Sequence, residues 1–497
     1  MRRLILTLLL SCLCAGLYAE PSSGGDFLRK LAKAPALKNS SYSVYAKYVG
    51  GKDIVAKDKN TLLIPASVLK LFTTASALEI LGPGKQFETK VYYDGKIKGK
   101  TLEGDIYLLG AGDPSFGSKD FDGPVYTEIF TVWASNLKAR GIKRIKGNIY
   151  ADNSLFNGML LPWRASFKNI GNYYAPKADA LSIGANSYKI VFPPVKEGDI
   201  NILPLFSEPQ IDVEFNSNIT VSAEAKKEDV YATFEPASNI VNLNGVLPVT
   251  EEQTVINAAL PSPAKFAAES FKNTLQNAGI KVTGKAKVKA GANYEQKQLL
   301  FTQISPTVGE LVKRTNKVSD NLYAEVLLRD ISAYTDGNGN AKDGLNKVKE
   351  NLIQLGISEE DFDIYGGSGL SYTNTVSCQA VVTLLEEMLK KPYAQDFKDS
   401  LVIAGKTEEK GPFGKRVSGR SFAFKTLLKT GTLDKARNIA GYTKDAKGQD
   451  IVFCFLINNF KPEGAGLTDL QDEFLNYLAA RQYVKPRRRA TPVGGIF

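Results

Sequence analysis

Three short runs, far apart in the chain, carry side chains able to cooperate in acyl transfer. They are Ser67-Val68-Leu69-Lys70, Ser319-Asp320-Asn321 and Lys429-Thr430-Gly431-Thr432. Between them they offer a nucleophilic hydroxyl, an amine three residues from it, a second hydroxyl, an amide and a second cation. The 497-residue chain contains no histidine, so a Ser-His-Asp arrangement is excluded and a serine nucleophile needs another base. Lys70 is the candidate. On a helix, Ser67 and Lys70 share a face, and a helix start adds N–H groups and a positive dipole end that favour an anionic oxygen. A lysine takes a proton only while partly neutral. Its reference pKa of about 10.4 must fall to roughly 7–8, which burial and a neighbouring cation bring about. The apolar residues Val68, Leu69, Leu71, Phe72, Ala75, Leu78 and Leu81 would bury it, and Lys429 would be the cation.

Each run is a weak signal alone. Ser and Lys at i and i+3 occur on ordinary helices, Ser-Asp-Asn is common cap chemistry, and many strands end in glycine. Their order and settings give them weight: a helix start, a loop before a helix, and a strand whose glycine lets backbone approach a ligand. Asp152, in Tyr150-Ala151-Asp152-Asn153, lies between the first two runs. It could bind an amine on a substrate, or be a plain turn residue.

The surrounding elements follow from pattern. Tyr42 to Tyr48 alternates as a half-buried strand, Gly50-Gly51 turns, and Asp53 to Lys59 returns as a hairpin. Ala66 to Leu81 reads as a buried helix stopped by Gly82-Pro83-Gly84. From Lys85 to Gly291 short β-like runs alternate with Gly, Pro and Asn turns, including Thr89–Tyr93, Gly104–Leu109, Asn148–Ala151 and Tyr188–Phe192. Helical character returns at Ala264–Gly279, at Val308–Thr315 and after Ser319. Ser421–Thr432 leads as a strand into the third run. Arg437–Thr443 and Asp450–Asn458 form a hairpin, and Leu467–Gln482 a final helix. The expected fold class is mixed α/β, one catalytic body split by a long β-rich insertion that carries a smaller insert. The expected limits are a leader at 1–19, a body at 20–84 and 292–484, a second domain at 85–175 and 248–291, a third at 176–247, and a tail at 485–497.

Composition agrees with an ordinary globular protein, at 43% hydrophobic and 23% charged residues. Arg2-Arg3, the apolar stretch Leu4–Leu17 and the small Ala19 read as an export signal cleaved near Ala19. Lipid processing at Cys12 is the alternative. Formal charge is +11, which suits a polyanionic envelope, and no nucleic-acid motif accompanies it. The basic tail around Lys485 and Arg487–Arg489 offers attraction to an anionic surface. Cys378 and Cys454 remain outside the leader and read as free core thiols. With no histidine and two such cysteines, no metal or other cofactor is expected.

Taken together, the three runs resemble those of the penicillin-recognising serine enzymes. More closely, the chain resembles the low-molecular-mass class C D-alanyl-D-alanine carboxypeptidases/endopeptidases, the penicillin-binding protein 4-like branch. Gly110-Ala111-Gly112-Asp113-Pro114, Tyr174 to Ser182 with Asn186, Gly367-Ser368-Gly369-Leu370-Ser371 and Arg437 to Tyr442 extend the likeness over nearly the whole chain. The long separation of Ser67 from Ser319 is itself a mark of this branch. One departure is visible: Gly366 stands where the family usually has an acidic residue. The resemblance implies that Ser67 attacks the carbonyl of a penultimate D-alanine while Lys70 takes its proton. Ser319 would relay a proton to the leaving amine, and Asn321 would hold the substrate amide. Lys429, Thr430 and Thr432 would bind the terminal carboxylate, with Gly431 giving close approach. The oxyanion would sit between the N–H groups of Ser67 and Thr432. Peptidoglycan peptides would be the substrates and β-lactams the inhibitors. A β-lactamase, or a non-catalytic envelope-binding protein on the same fold, are the alternatives.

Overall fold

The computed structural model describes residues 24–234, 238–406, 420–461 and 466–481. The expected leader and basic tail lie outside the described residues. Strand Ser41–Tyr48 pairs antiparallel with Asp53–Lys57 across a turn in which Gly50 takes φ 63°. Its other edge pairs with Asp450–Asn458, and the sheet continues through Ala436–Lys444, Leu427–Leu433 and Val402–Ile403. The two ends of the chain thus build one six-stranded sheet, and everything between can be carried as an insertion.

The central strand Asp450–Asn458 is apolar on both faces because both are covered. Ile451, Phe453, Phe455 and Ile457 pack with Phe27 and Leu31 of helix Gly24–Lys33 and with Phe474 and Leu475 of helix Leu467–Ala479. Val452, Cys454 and Leu456 point the other way, into a core built from helices Lys70–Leu81, Val308–Lys317, Asn321–Asp336, Ala341–Gln354 and Cys378–Met388. Cys378 and Cys454 are both free and buried, with their sulfurs 3.1 Å apart.

The expected helix over 66–81 is divided. Ala66–Leu69 forms a single 3-10 turn, and the α-helix begins at Lys70. Within that helix only Glu79 and Ile80 escape burial, so its polar side chains need partners. They have them: Thr73 Oγ1 donates to Gly367 O, Thr74 Oγ1 to Lys70 O, and Ser76 Oγ accepts from Asn351 Nδ2.

The insertion contains a five-stranded sheet in the order Ala286–Val288, Ile149–Asp152, Ile106–Leu109, Glu88–Tyr93, Gln298–Ile304. Smaller sheets involve Ser187–Phe192 with Thr254–Ala259, and Glu214–Ser222 with Ile240–Pro248. Strand pairing moves two of the expected boundaries. Gln298–Ile304 lies against Glu88–Tyr93, so the chain returns to the body near Ser305, where Phe87 and Ser305 exchange hydrogen bonds, rather than at 292. Likewise the partner of Ser187–Phe192 lies beyond 247. Helix Tyr126–Ala139 was not anticipated in this β-textured stretch. Its buried Ile129, Phe130, Trp133, Ala134 and Leu137 form a helical stripe. No helix among the described residues is long and apolar enough to cross a membrane.

Candidate active site

Ser67, Lys70, Ser319, Asn321 and Lys429 converge on one site. Lys70 Nζ, fully buried, lies 3.0 Å from Ser67 Oγ, 2.5 Å from Asn321 Oδ1 and 2.6 Å from the carbonyl oxygen of Ser368. Two of these three neighbours can only accept. A neutral amine has two hydrogens and one lone pair; if the hydrogens go to Asn321 Oδ1 and Ser368 O, the lone pair faces the Ser67 hydroxyl. Ser67 itself is half-buried.

Burial brings Lys70 down to about 7, against the opposing pull of the Asp320 and Glu325 charges. Lys429, 1% exposed, is also pushed well below its usual value, first by burial and then by the charge of Lys70. Its Nζ donates to Ser319 Oγ at 2.9 Å and to Thr430 O at 2.7 Å. Ser319 is therefore tied to Lys429 here. Asn321 is engaged at both ends, with Nδ2 donating to the Tyr174 carbonyl at 2.6 Å. Through that bond the insertion reaches the edge of the site.

Local backbone explains how the side chains are aimed. Ala66, just before Ser67, has φ 47°, and Ser319 has φ 61°. Such non-glycine conformations cost about 1–3 kcal/mol each and persist where surrounding structure over-determines them. Asp320 caps helix Asn321–Asp336 by accepting from Leu322 N and Tyr323 N, which sets Asn321 at its first turn. Strand Leu427–Leu433 crosses behind Ser67 at close range. A Cβ on Gly431 would lie 2.4 Å from Pro65 O and 3.2 Å from Ser67 N. Thr430 is half-buried and Thr432 exposed beside it.

Asp152 does not join the site. It is fully buried at the end of strand Ile149–Asp152, accepting from Tyr294 Oη (2.8 Å), Ala292 N (3.0 Å), Gly291 N (3.3 Å) and Ser154 N (3.0 Å). Burial alone would raise its pKa, but these bonds hold it below the usual value. The expected substrate contact is replaced by a structural one, because four donors already use the carboxylate. Sequence reading also gave no role to Ser368, Glu325 or the Tyr174 carbonyl. Glu325 carried a usable signal, since it lies four residues after Asn321 and so on the same helix face. It bears on the Gly366 departure too: a Cβ at Gly366 would stand 3.1 Å from Glu325 Oε1. Glu325 brings a carboxylate to this turn from the helix.

A buried lysine aimed at a half-buried serine, with a second lysine behind it, on a split α/β body, defines a penicillin-recognising serine enzyme. The chain belongs to the D-Ala-D-Ala carboxypeptidase 3 (S13) family, which matches residues 26–479, and it is a serine-type D-Ala-D-Ala carboxypeptidase. It is 27% identical over 461 residues to a D-alanyl-D-alanine carboxypeptidase of Actinomadura sp., covering 90% of this chain and 82% of the relative. It is 26% identical over 432 residues to the D-alanyl-D-alanine carboxypeptidase DacB of Haemophilus influenzae, covering 85% and 86%. In three dimensions it is similar to penicillin binding protein 4 of Haemophilus influenzae. The TM-score is 0.77 at 23% identity, over 92% of this chain and 99% of that one. A complex of that protein with a β-lactam aligns with a TM-score of 0.74.

Proposed function

We propose that this is an exported enzyme that hydrolyses the bond after D-alanine in peptidoglycan stem peptides and cross-links through an acyl-Ser67 intermediate, and that β-lactams acylate the same serine. The observation that carries the reading is the direction of Lys70, whose two other partners leave its lone pair for Ser67. Ser67 Oγ forms the ester as its proton passes to Lys70 and the peptide C–N bond breaks. That proton leaves with the freed amine, that of D-alanine from a stem peptide or of the partner peptide from a cross-link. Water then attacks the ester, the hydroxyl proton returns to Ser67, and the acid product departs.

Lys429 suits a substrate carboxylate, with Thr430 and Thr432 hydroxyls beside it and the N–H groups of Ser67 and Thr432 receiving the oxyanion. A carboxylate arriving at Lys429 favours its charged form. Repulsion between two buried ammonium groups then falls on Lys70, which becomes the base in the complex. Ser319, held by Lys429, is set to pass a proton toward the leaving amine, and Asn321 to orient both Lys70 and the substrate amide. The basic Arg2-Arg3, the apolar stretch Leu4–Leu17 and the small Ala19 support export.

A fluorescent penicillin should label the wild-type chain and leave Ser67→Ala unlabelled. Incubation with isolated peptidoglycan, followed by mass analysis, should release D-alanine and resolve cross-links. Labelling that survives Ser67→Ala rejects the nucleophile, and rapid turnover of a chromogenic cephalosporin would replace the peptidase reading with a β-lactamase.

A further inference from the structure

We infer that Glu325 is a positioning residue for the base, clamping the Ser368 peptide so that its carbonyl fixes the direction of the Lys70 amine. The inference rests on the Ser67 acylation reading. Glu325 is 2% exposed, inside the protein on the helix that begins at Asn321. One of its oxygens, Oε1, accepts from Gly367 N at 3.1 Å, Ser368 N at 3.0 Å and Ser368 Oγ at 2.6 Å. The same residue, Ser368, presents its carbonyl to Lys70 Nζ at 2.6 Å. The turn is pinned from its other side by Thr73 Oγ1, which donates to Gly367 O at 2.8 Å from one helical turn beyond Lys70. Gly369 completes it with φ 85° and no room for a Cβ, which would lie 2.1 Å from Ala66 O.

A buried charge is costly unless it is paired and hydrogen-bonded. Glu325 is both, since Arg329 Nη1 stands 3.7 Å from Oε2. Arg329 in turn donates through Nη2 to Met159 O of the insertion. An apolar residue at 325 would leave the Gly367 and Ser368 N–H groups and the Arg329 guanidinium without this partner. The three bonds to Oε1 all hold one turn, and that turn reaches Lys70 through the Ser368 carbonyl. Asn321 and Glu325 thus act from successive turns of one helix, the first on Lys70 directly and the second through Ser368.

Glu325 also acts on Lys70 by charge. The charged groups facing Lys70 are Asp320 and Glu325 from the capped helix and Lys429 from strand Leu427–Leu433. The turn 367–371 and the segment 66–74 contribute no other charge. Removing the Glu325 charge makes the Lys70 ammonium less favourable, so its proton is lost at lower pH.

The test measures acylation by a penicillin as a function of pH for the wild-type chain, Glu325→Gln and Ser368→Ala, separating reversible binding from the covalent step. Glu325→Gln is expected to move the acid limb to lower pH and to lower the plateau of the covalent step about tenfold, with reversible binding unchanged. Ser368→Ala keeps the charge, so its acid limb stays in place while its plateau falls by about threefold to tenfold. A wild-type limb and plateau in Glu325→Gln, or a change confined to reversible binding, overturns the inference. If Glu325→Gln does not fold by thermal melting, Ser368→Ala decides: a wild-type plateau there overturns the inference. A wild-type chain that is never acylated rejects the acylation reading itself, before the variants are compared.

Discussion

Lys70 Nζ lies 3.0 Å from Ser67 Oγ, and burial brings the pKa of that amine down to about 7. The acylation rate should therefore rise with pH through about 7, falling close to tenfold per unit on the acid side. Lys70→Ala should lower acylation by about 10²–10⁴-fold. Lys70→Arg should not restore it, because a guanidinium stays protonated. Rate constants for penicillin acylation measured across neutral pH check this, and a profile flat through 7 would sink the assignment of Lys70 as base. The same depression has a stability consequence. The folded chain holds the Lys70 proton less tightly than the unfolded chain does, so stability should increase as pH rises from about 7 toward the ordinary lysine value of 10.5.

Lys429 donates to Ser319 Oγ and is fully enclosed, so its charge is costly until an anion arrives. Lys429→Ala should weaken turnover of peptides ending in a free carboxylate far more than turnover of the same peptides ending in an amide. Removing a charged hydrogen-bond partner costs about 1.5–3 kcal/mol, roughly 10- to 150-fold in kcat/KM. Equal losses on acid and amide would mean that Lys429 acts only within the protein. Because bound carboxylate turns the repulsion onto Lys70, the acid limb of kcat should also lie below that of kcat/KM.

Gly431 is required by space rather than by φ. A methyl group there would meet Pro65 O at 2.4 Å, Val68 N at 3.0 Å and Ser67 N at 3.2 Å, all backbone atoms that cannot rotate away. Gly431→Ala should separate strand Leu427–Leu433 from the turn Ala66–Leu69, costing about 1–3 kcal/mol of stability. Labelling by penicillin should fall as well. Calorimetry and labelling on the same preparation test both, and full labelling would show that the turn can shift without harm.

How much of this was legible in the sequence depends on the kind of contact. The split body could be read because Asp450–Asn458 and Tyr42–Tyr48 carry strong strand patterns, and both settle in one sheet. Ser67, Lys70, Ser319, Asn321 and Lys429 could be read because their chemistry is rare in that order. Ser368 contributes a carbonyl, which every residue has, so nothing in its side chain announces it. Tyr174 acts on Asn321 in the same silent way. Helix Tyr126–Ala139 was hidden by the glycine- and proline-rich turns on either side, although Phe130, Trp133 and Leu137 lie on one face. Asp152 misled because a carboxylate between turn residues looks available. Only the return of the chain at Gly291–Tyr294 uses it up.

That return makes Asp152 a test of structure against function. The carboxylate closes strand Ile149–Asp152 onto residues 291–294 by accepting from two backbone N–H groups and the Tyr294 hydroxyl. Asp152→Ala would strand those donors in a buried place, at a cost of about 1–3 kcal/mol. Asp152→Asn, which keeps one acceptor oxygen, should cost less. The carboxylate is held below its usual pKa by these bonds. Its contribution should therefore be present above the unfolded value near 3.8 and vanish as pH falls through the lower folded one. Denaturation in parallel with kcat/KM separates the roles. Peptides with and without a free side-chain amine should be cleaved by folded Asp152→Asn in the wild-type ratio. A selective loss on the amine-bearing peptide would return Asp152 to the substrate.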